Sequence, residues 1–160
     1  MALLPILRYP DPRLYRQATR VGVFDAQLQA LVHDMAQTMY AAPGIGLAAT
    51  QVDDARQVIV IDTSEDRNNL IILINPDIIQ AEGSQFCEEG CLSVPGVYEP
   101  VERAESIKVL AQGIEGESIS IEAEKLLAVC IQHEMDHLQG KVFVDYLSRL
   151  KQNRIKARMN

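Results

Sequence analysis

Residues 132–137 read Gln-His-Glu-Met-Asp-His, a His-Glu-x-x-His pattern. On a helix a four-residue step turns about 400°, so His133 and His137 leave the same face one turn apart. Two imidazole nitrogens can then grip one ion, with Glu134 beside it to move protons. Leu126, Leu127, Val129, Cys130 and Ile131 run straight into the motif, which predicts a largely buried helix. A solvated polar stripe does not fit that setting. Two uncompensated imidazoles beside a buried carboxylate would be costly, so a metal is expected. The fold must therefore bring at least one more ligand to this helix.

The third ligand is sought on both sides of the motif. Downstream there is no His or Glu, and only Asp145 stands as a weak candidate, better suited to a capping or solvated role. Upstream, Glu89-Gly90-Cys91-Leu92-Ser93 places a cysteine in a loop beside a strand start. A thiolate is a strong ligand for borderline metals. Cys87 competes with it, and Cys130 lies on the His133 face one turn earlier. A free cysteine inside an apolar helix is more often a small core residue. Chemistry alone favours Cys91 over Cys87. A site closed by both would be structural, whereas a Cys–His–His site leaves a position open for water. Arg103 and Glu89 are candidates for a supporting ion pair.

A third segment, Gly44-Ile45-Gly46-Leu47-Ala48-Ala49-Thr50-Gln51, begins like a phosphate loop. It follows a helix and Pro43 rather than a strand, and it lacks the third glycine, so dinucleotide binding is not expected. Two readings remain open. The backbone is kept bare for close approach of a ligand, with Gln51 facing the site, or the segment is a tight turn with a capping glutamine.

Around these segments the pattern is α+β. Asp25 is expected to cap a helix carrying Leu28, Leu31, Val32, Met35 and Met39, with Phe24 as a staple and Pro43-Gly44 as the stop. Residues 57–62, 70–74, 106–111 and 117–121 read as strands, the second closed by Asn75-Pro76. A helix over 123–139 ends at Gly140, a short strand covers 142–144, and a basic helix begins near Ser148. Short connections favour mostly antiparallel pairing.

The 160 residues suit one domain, 1–160, with a core that needs no disulfides. Three cysteines are too few for a disulfide scaffold. With 15 Lys+Arg against 22 Asp+Glu the net charge is −7, which argues against a DNA-coating protein. The charge is uneven, however. Arg149, Lys151, Arg154, Lys156 and Arg158 fall in a closing segment without acids. The opening MALLPILRYPDPRL is broken by Pro5 and has no basic stretch ahead of its apolar residues, unlike a secretory signal. No run approaches about 20 apolar residues, so no membrane span is expected and a cytoplasmic setting is the default.

Taken together and in this order, GIGLAATQ, EGCLS and QHEMDH resemble the three motifs of the bacterial peptide deformylases. The likeness runs from ILRYPDPRL to DYLSRLKQ. It implies an α+β fold in which a mostly antiparallel sheet packs around the central helix bearing His-Glu-x-x-His, with an N-terminal and a C-terminal helix. It implies removal of the formyl group from N-formylmethionyl peptides of nascent chains, releasing formate. By the same resemblance, Cys91, His133 and His137 match the metal ligands and Glu134 the general acid/base. Gln51 and the Leu92 backbone N–H match the groups that stabilise the carbonyl oxygen. Gly46 matches the second glycine of the first motif, and Ile45 and Gly90 would flank the peptide backbone as strand neighbours do. The native ion implied is Fe²⁺, with Zn²⁺, Ni²⁺ or Co²⁺ able to replace it in purified protein. In some relatives the C-terminal helix contacts the ribosome, and the basic segment here has the charge for that.

Helix spacing adds a substrate pocket. Cys130, Val129 and Leu126 precede His133 by three, four and seven residues and share its face. With Ile45 and Cys87 they would line an apolar pocket suited to an unbranched methionine side chain. Plain core packing is the alternative for Leu126 and Val129. Two other functions compete: a metallopeptidase cutting internal amides, and a structural zinc domain using Cys87, Cys91 and both histidines.

Overall fold

The computed structural model describes residues 3–159. The first two residues of the apolar opening segment, and the last residue of the basic tail, lie outside this range. Helix α1 spans Ala26–Ala41, and its first turn is capped by Asp25, whose carboxylate accepts from Leu28 N at 3.0 Å. Strands β1 (Gly46–Ala48), β2 (Val58–Ile61), β3 (Ile71–Glu82), β6 (Ser106–Gln112) and β7 (Ser118–Glu124) form an antiparallel sheet in the order β1-β2-β3-β6-β7. Strands β4 (Gln85–Cys91) and β5 (Val94–Arg103) form a separate antiparallel hairpin. Helix α2 covers Lys125–Leu138 and α3 covers Arg149–Met159.

The large sheet is sandwiched between two helices, and β2 shows why its sequence is unbroken apolar. Val58 and Val60 face a cluster containing Leu28, Val32, Met35 and Met39 of α1. Ile59 and Ile61 face the opposite cluster, with Ala128, Ile131 and Leu138 of α2. A strand buried on both faces needs no polar alternation. Phe24 packs into the α1 cluster with Leu28. A third cluster joins Leu7, Tyr9 and Leu14 to Val94, Val97 and Val101 of β5, to Phe143 and to Ile155 of α3. It seats the hairpin on the rest of the molecule.

Four local expectations are corrected. The strand from 70 does not stop at Asn75-Pro76. Asn75 takes a positive φ of 53°, and its side chain accepts from Val21 N and donates to Val21 O and Gln112. The register shifts there and pairing resumes at Asp77, so a bulge absorbs the proline. Residues 142–144 are not a strand: Phe143–Tyr146 is a 3-10 turn that buries Phe143 and Val144. Asp145 caps it by accepting from Val142 N at 2.9 Å. Finally, the segment holding Cys91 is the end of a strand rather than a loop, and β7 runs on to Glu124, so α2 starts two residues later than expected.

Candidate metal centre

His133 and His137 lie on successive turns of α2, their ring centroids 5.0 Å apart. Cys91 comes from the end of β4, on the strand face that also presents Cys87 and Glu89 inward. Its Sγ is 3.3 Å from His137 Nε2. One ligand atom each from Cys91, His133 and His137 falls within 4.8 Å of the others.

The His133 ring is held from behind. His133 Nδ1 lies 2.8 Å from Glu89 Oε1, which leaves Nε2 as the nitrogen facing the thiol. Glu89 is itself gripped by a bidentate fork: Arg103 Nε donates to Oε2 at 2.8 Å and Nη2 to Oε1 at 2.9 Å. Arg103 Nη1 turns to Asp136, which also accepts from Tyr146 OH at 2.7 Å. The expected Glu89–Arg103 pair is therefore present, and it reaches His133 on one side and a surface tyrosine on the other. The carbonyl of His137 accepts from Thr50 Oγ1 at 3.1 Å, tying the second motif helix to the glycine segment.

Gln51 does both things its two readings allow. Its Oε1 caps the turn by accepting from Ala48 N at 3.0 Å. Its Nε2 faces the site, 3.0 Å from Ser93 Oγ and 3.5 Å from Cys91 Sγ. Gly46 is needed for space: a Cβ there would lie 2.5 Å from Glu134 Oε2.

The electrostatics suit a cation. Burial holds His137 well below the ordinary histidine range, so its ring is neutral and its lone pair available. Burial also works against charge on His133, but Glu134, Cys91 and Glu89 outweigh it and hold the ring well above that range. A divalent cation would answer the same negative potential. Burial pushes the Glu134 carboxyl up to about 7, against the pull of His133. Among the described residues, Glu134 Oε1 and His137 Nδ1 are buried side-chain atoms with no hydrogen-bond partner. An orphaned carboxylate oxygen in such a place is costly unless a water or substrate proton meets it. One thiolate and two imidazoles are the donor set of Zn²⁺-like ions, so these residues fit a divalent metal.

A polypeptide deformylase family model matches residues 3–153. The chain belongs to the polypeptide deformylase family. It is 58% identical over 159 residues to peptide deformylase 2 of Nitrosomonas europaea, covering 99% of this chain and 86% of that protein. With peptide deformylase 1 of Burkholderia multivorans it shares 61% over 160 residues, covering 99% and 88%. Its fold superposes on a peptide deformylase crystal structure from Legionella pneumophila with a TM-score of 0.95 at 46% identity, covering 99% of this chain and 94% of that one. The Ehrlichia chaffeensis peptide deformylase in complex with actinonin gives 0.96 at 36%, covering 99% and 96%. Deformylases are metal-dependent hydrolases that remove the N-formyl group from nascent polypeptides, and this chain is an enzyme of that family.

In this deformylase the expected pocket residues come together around one cavity of about 730 Å³. Gln51, Cys91, Leu92, His133 and Glu134 line it, as do Ile45, Gly46 and Gly90. Cys87, Leu126, Val129 and Cys130 complete the apolar wall. Leu126 is 46% exposed, so it belongs to the cavity rim and not to the core. Val129 and Cys130 are buried, and Cys130 also joins the core beneath α2. Burial pushes the Cys130 thiol up, which keeps it neutral. Neither Cys87 nor Cys130 joins the ligand cluster, and Asp145 is occupied as a cap. The sequence reading did not single out Ser93, Asp136 or Tyr146 for the site. Two of them sit inside the motifs already chosen, which was the available signal. Among the described residues no helix is long and apolar enough to cross a membrane.

Proposed function

We propose that Cys91, His133 and His137 hold one divalent ion and that Glu134, Gln51 and the Leu92 N–H act on the formyl group beside it. The observation that carries this reading is the convergence of the three ligand atoms within 4.8 Å, beside a cavity lined by Cys91, His133 and Glu134. When bound, the ion supplies Lewis-acid chemistry, polarising a carbonyl and making water more acidic. Glu134, poised near neutrality, takes a proton from the attacking water and returns it to the leaving amine. The Gln51 amide and the Leu92 N–H receive the charge that develops on the formyl oxygen. One such donor contributes on the order of 3 kcal/mol. The products are formate and a free N-terminus.

The methionine side chain enters the wall formed by Leu126, Val129, Cys130 and Cys87, while Ile45 and Gly90 border the peptide backbone. We take Fe²⁺ as the native ion, by the family resemblance. Zn²⁺ binds such donors more tightly by the usual order, and Ni²⁺ or Co²⁺ fits them as well. Residues 1–160 act as one metallohydrolase domain in the cytoplasm, where formylated chains emerge, and α3 offers its exposed cations to ribosomal RNA.

The test measures metal content and formate release together. Glu134→Gln is expected to keep the ion and lose turnover by at least about 100-fold. Cys91→Ser is expected to lose both. Full turnover by Glu134→Gln with metal bound would overturn the reading.

A further inference from the structure

The chain between β2 and β3, residues 62–70, folds back on the buried carboxylate of Asp62, which accepts from Ser64, Asn69 and Tyr40. Within it Arg67 takes a positive φ of 58°. A residue with a side chain keeps that left-handed conformation only where its surroundings fix it. Here they do. The guanidinium lies over the Tyr40 ring, 5.1 Å from its centroid, and Nη1 donates to Asp62 O at 3.0 Å. Its Nη2 donates to the carbonyl of Gly44, outside the loop. Arg67 does not itself line the cavity, whereas Gly44 and Ile45 do.

Gly44 is closely confined. A Cβ there would stand 2.6 Å from Leu92 Cδ1. Its N–H donates to Met39 O at 2.7 Å, and Ile45 O accepts from Asp62 N at 2.9 Å. The Gly44 carbonyl shares one rigid peptide plane with the Ile45 N–H, which points the opposite way. Fixing the carbonyl therefore fixes the direction of that N–H. A glycine offers little resistance to turning of the plane, so the restraint comes from outside.

We propose that Arg67 is a positioning residue for peptide binding: its grip on the Gly44 carbonyl sets the Gly44–Ile45 peptide plane at the border of the substrate backbone. This rests on the reading of the site given above, in which Ile45 borders the peptide. The reacting groups are held independently. Gly46 pairs with Ile61 of β2, Gln51 is bonded to Ala48 and Ser93, and Glu134 belongs to α2. Loss of Arg67 weakens binding and spares the chemical step.

The test uses nickel-loaded protein and formyl-Met-Ala-Ser. Arg67→Met keeps the apolar stem and loses every donor. It is expected to raise KM about tenfold, the size of one charge-assisted hydrogen bond, with kcat within about twofold. Arg67→Lys keeps a single charged donor and is expected to fall between, at about threefold. It decides the matter alone where Arg67→Met fails to fold. Tyr40→Phe keeps the ring beneath Arg67 but loses the bond to Asp62, so it lowers the urea midpoint and leaves KM unchanged. An unchanged KM in the Arg67 variants, a matching fall in kcat, or an equal rise of KM in Tyr40→Phe overturns the proposal. If the unaltered protein releases no formate from this peptide, the reading of the site fails, and this inference with it.

Discussion

The carboxylate of Glu89 lies 2.8 Å from His133 Nδ1 and is clamped from its other side by Arg103. The orientation of one proposed ligand therefore depends on an ion pair that is itself buried. Removing Glu89 leaves a guanidinium out of water with half its partners. Glu89→Ala is expected to destabilise the protein by about 3–5 kcal/mol, measured by urea unfolding. Metal affinity is expected to fall about 10–100-fold, measured by competition with a chelating dye. Unchanged affinity would show that the bond orients nothing.

Gly46→Ala tests a different constraint. The added methyl would meet Glu134 Oε2 at 2.5 Å, so the carboxylate must turn away from its place. Formate release should fall by at least about tenfold while metal content holds, because the ligands are untouched. Structural damage would instead appear as lost metal.

Asp62 gives a pH dependence with a definite sign. Burial opposes its charge, but bonds from Ser64, Tyr40 and Asn69 outweigh that and bring it down to about 2. A carboxylate depressed in the folded state stabilises it fully above the unfolded value, about 3.9. That contribution is lost as pH falls through the window toward about 2. Asp62→Asn should therefore be less stable than the unaltered protein at pH 6, with the gap closing between about pH 4 and pH 2. Urea midpoints across that range provide the measurement.

The exposed cations of α3 make the ribosome proposal testable without removing Ile155 from its cluster. Reversing Arg154, Lys156 and Arg158 together to Glu should abolish co-sedimentation with ribosomes at low salt and leave hydrolysis of a short formyl peptide intact. Equal co-sedimentation would remove α3 from consideration.

The parts of the molecule legible in its sequence are those with local signatures. The Asp25 cap, the α1 stripe and the His-Glu-x-x-His step are all fixed within one or two turns of chain. The β4–β5 hairpin was illegible because charged Glu89 and Arg103 take inward positions beside Val94, Val97 and Val101 and break the apolar pattern that reveals a strand. Their charges pair with each other, a fact that exists only in three dimensions. Asn75-Pro76 looked like an ending because the bulge that accommodates it depends on Val21 and Gln112, both distant in sequence. Val142, Phe143 and Val144 looked like a strand because burial alone can mimic one. Ser93 and Asp136 stood in plain view within the motifs, but their partners Gln51, Arg103 and Tyr146 come from elsewhere.

The hairpin and the helical sandwich are separate layers, and the three proposed ligands straddle the seam: the sulfur belongs to one, both imidazoles to the other. An ion held there would rivet the two. Folding and loading would then be thermodynamically linked, with thermal resistance climbing logarithmically as free metal rises. A starved cell would hold a looser protein as well as an idle one.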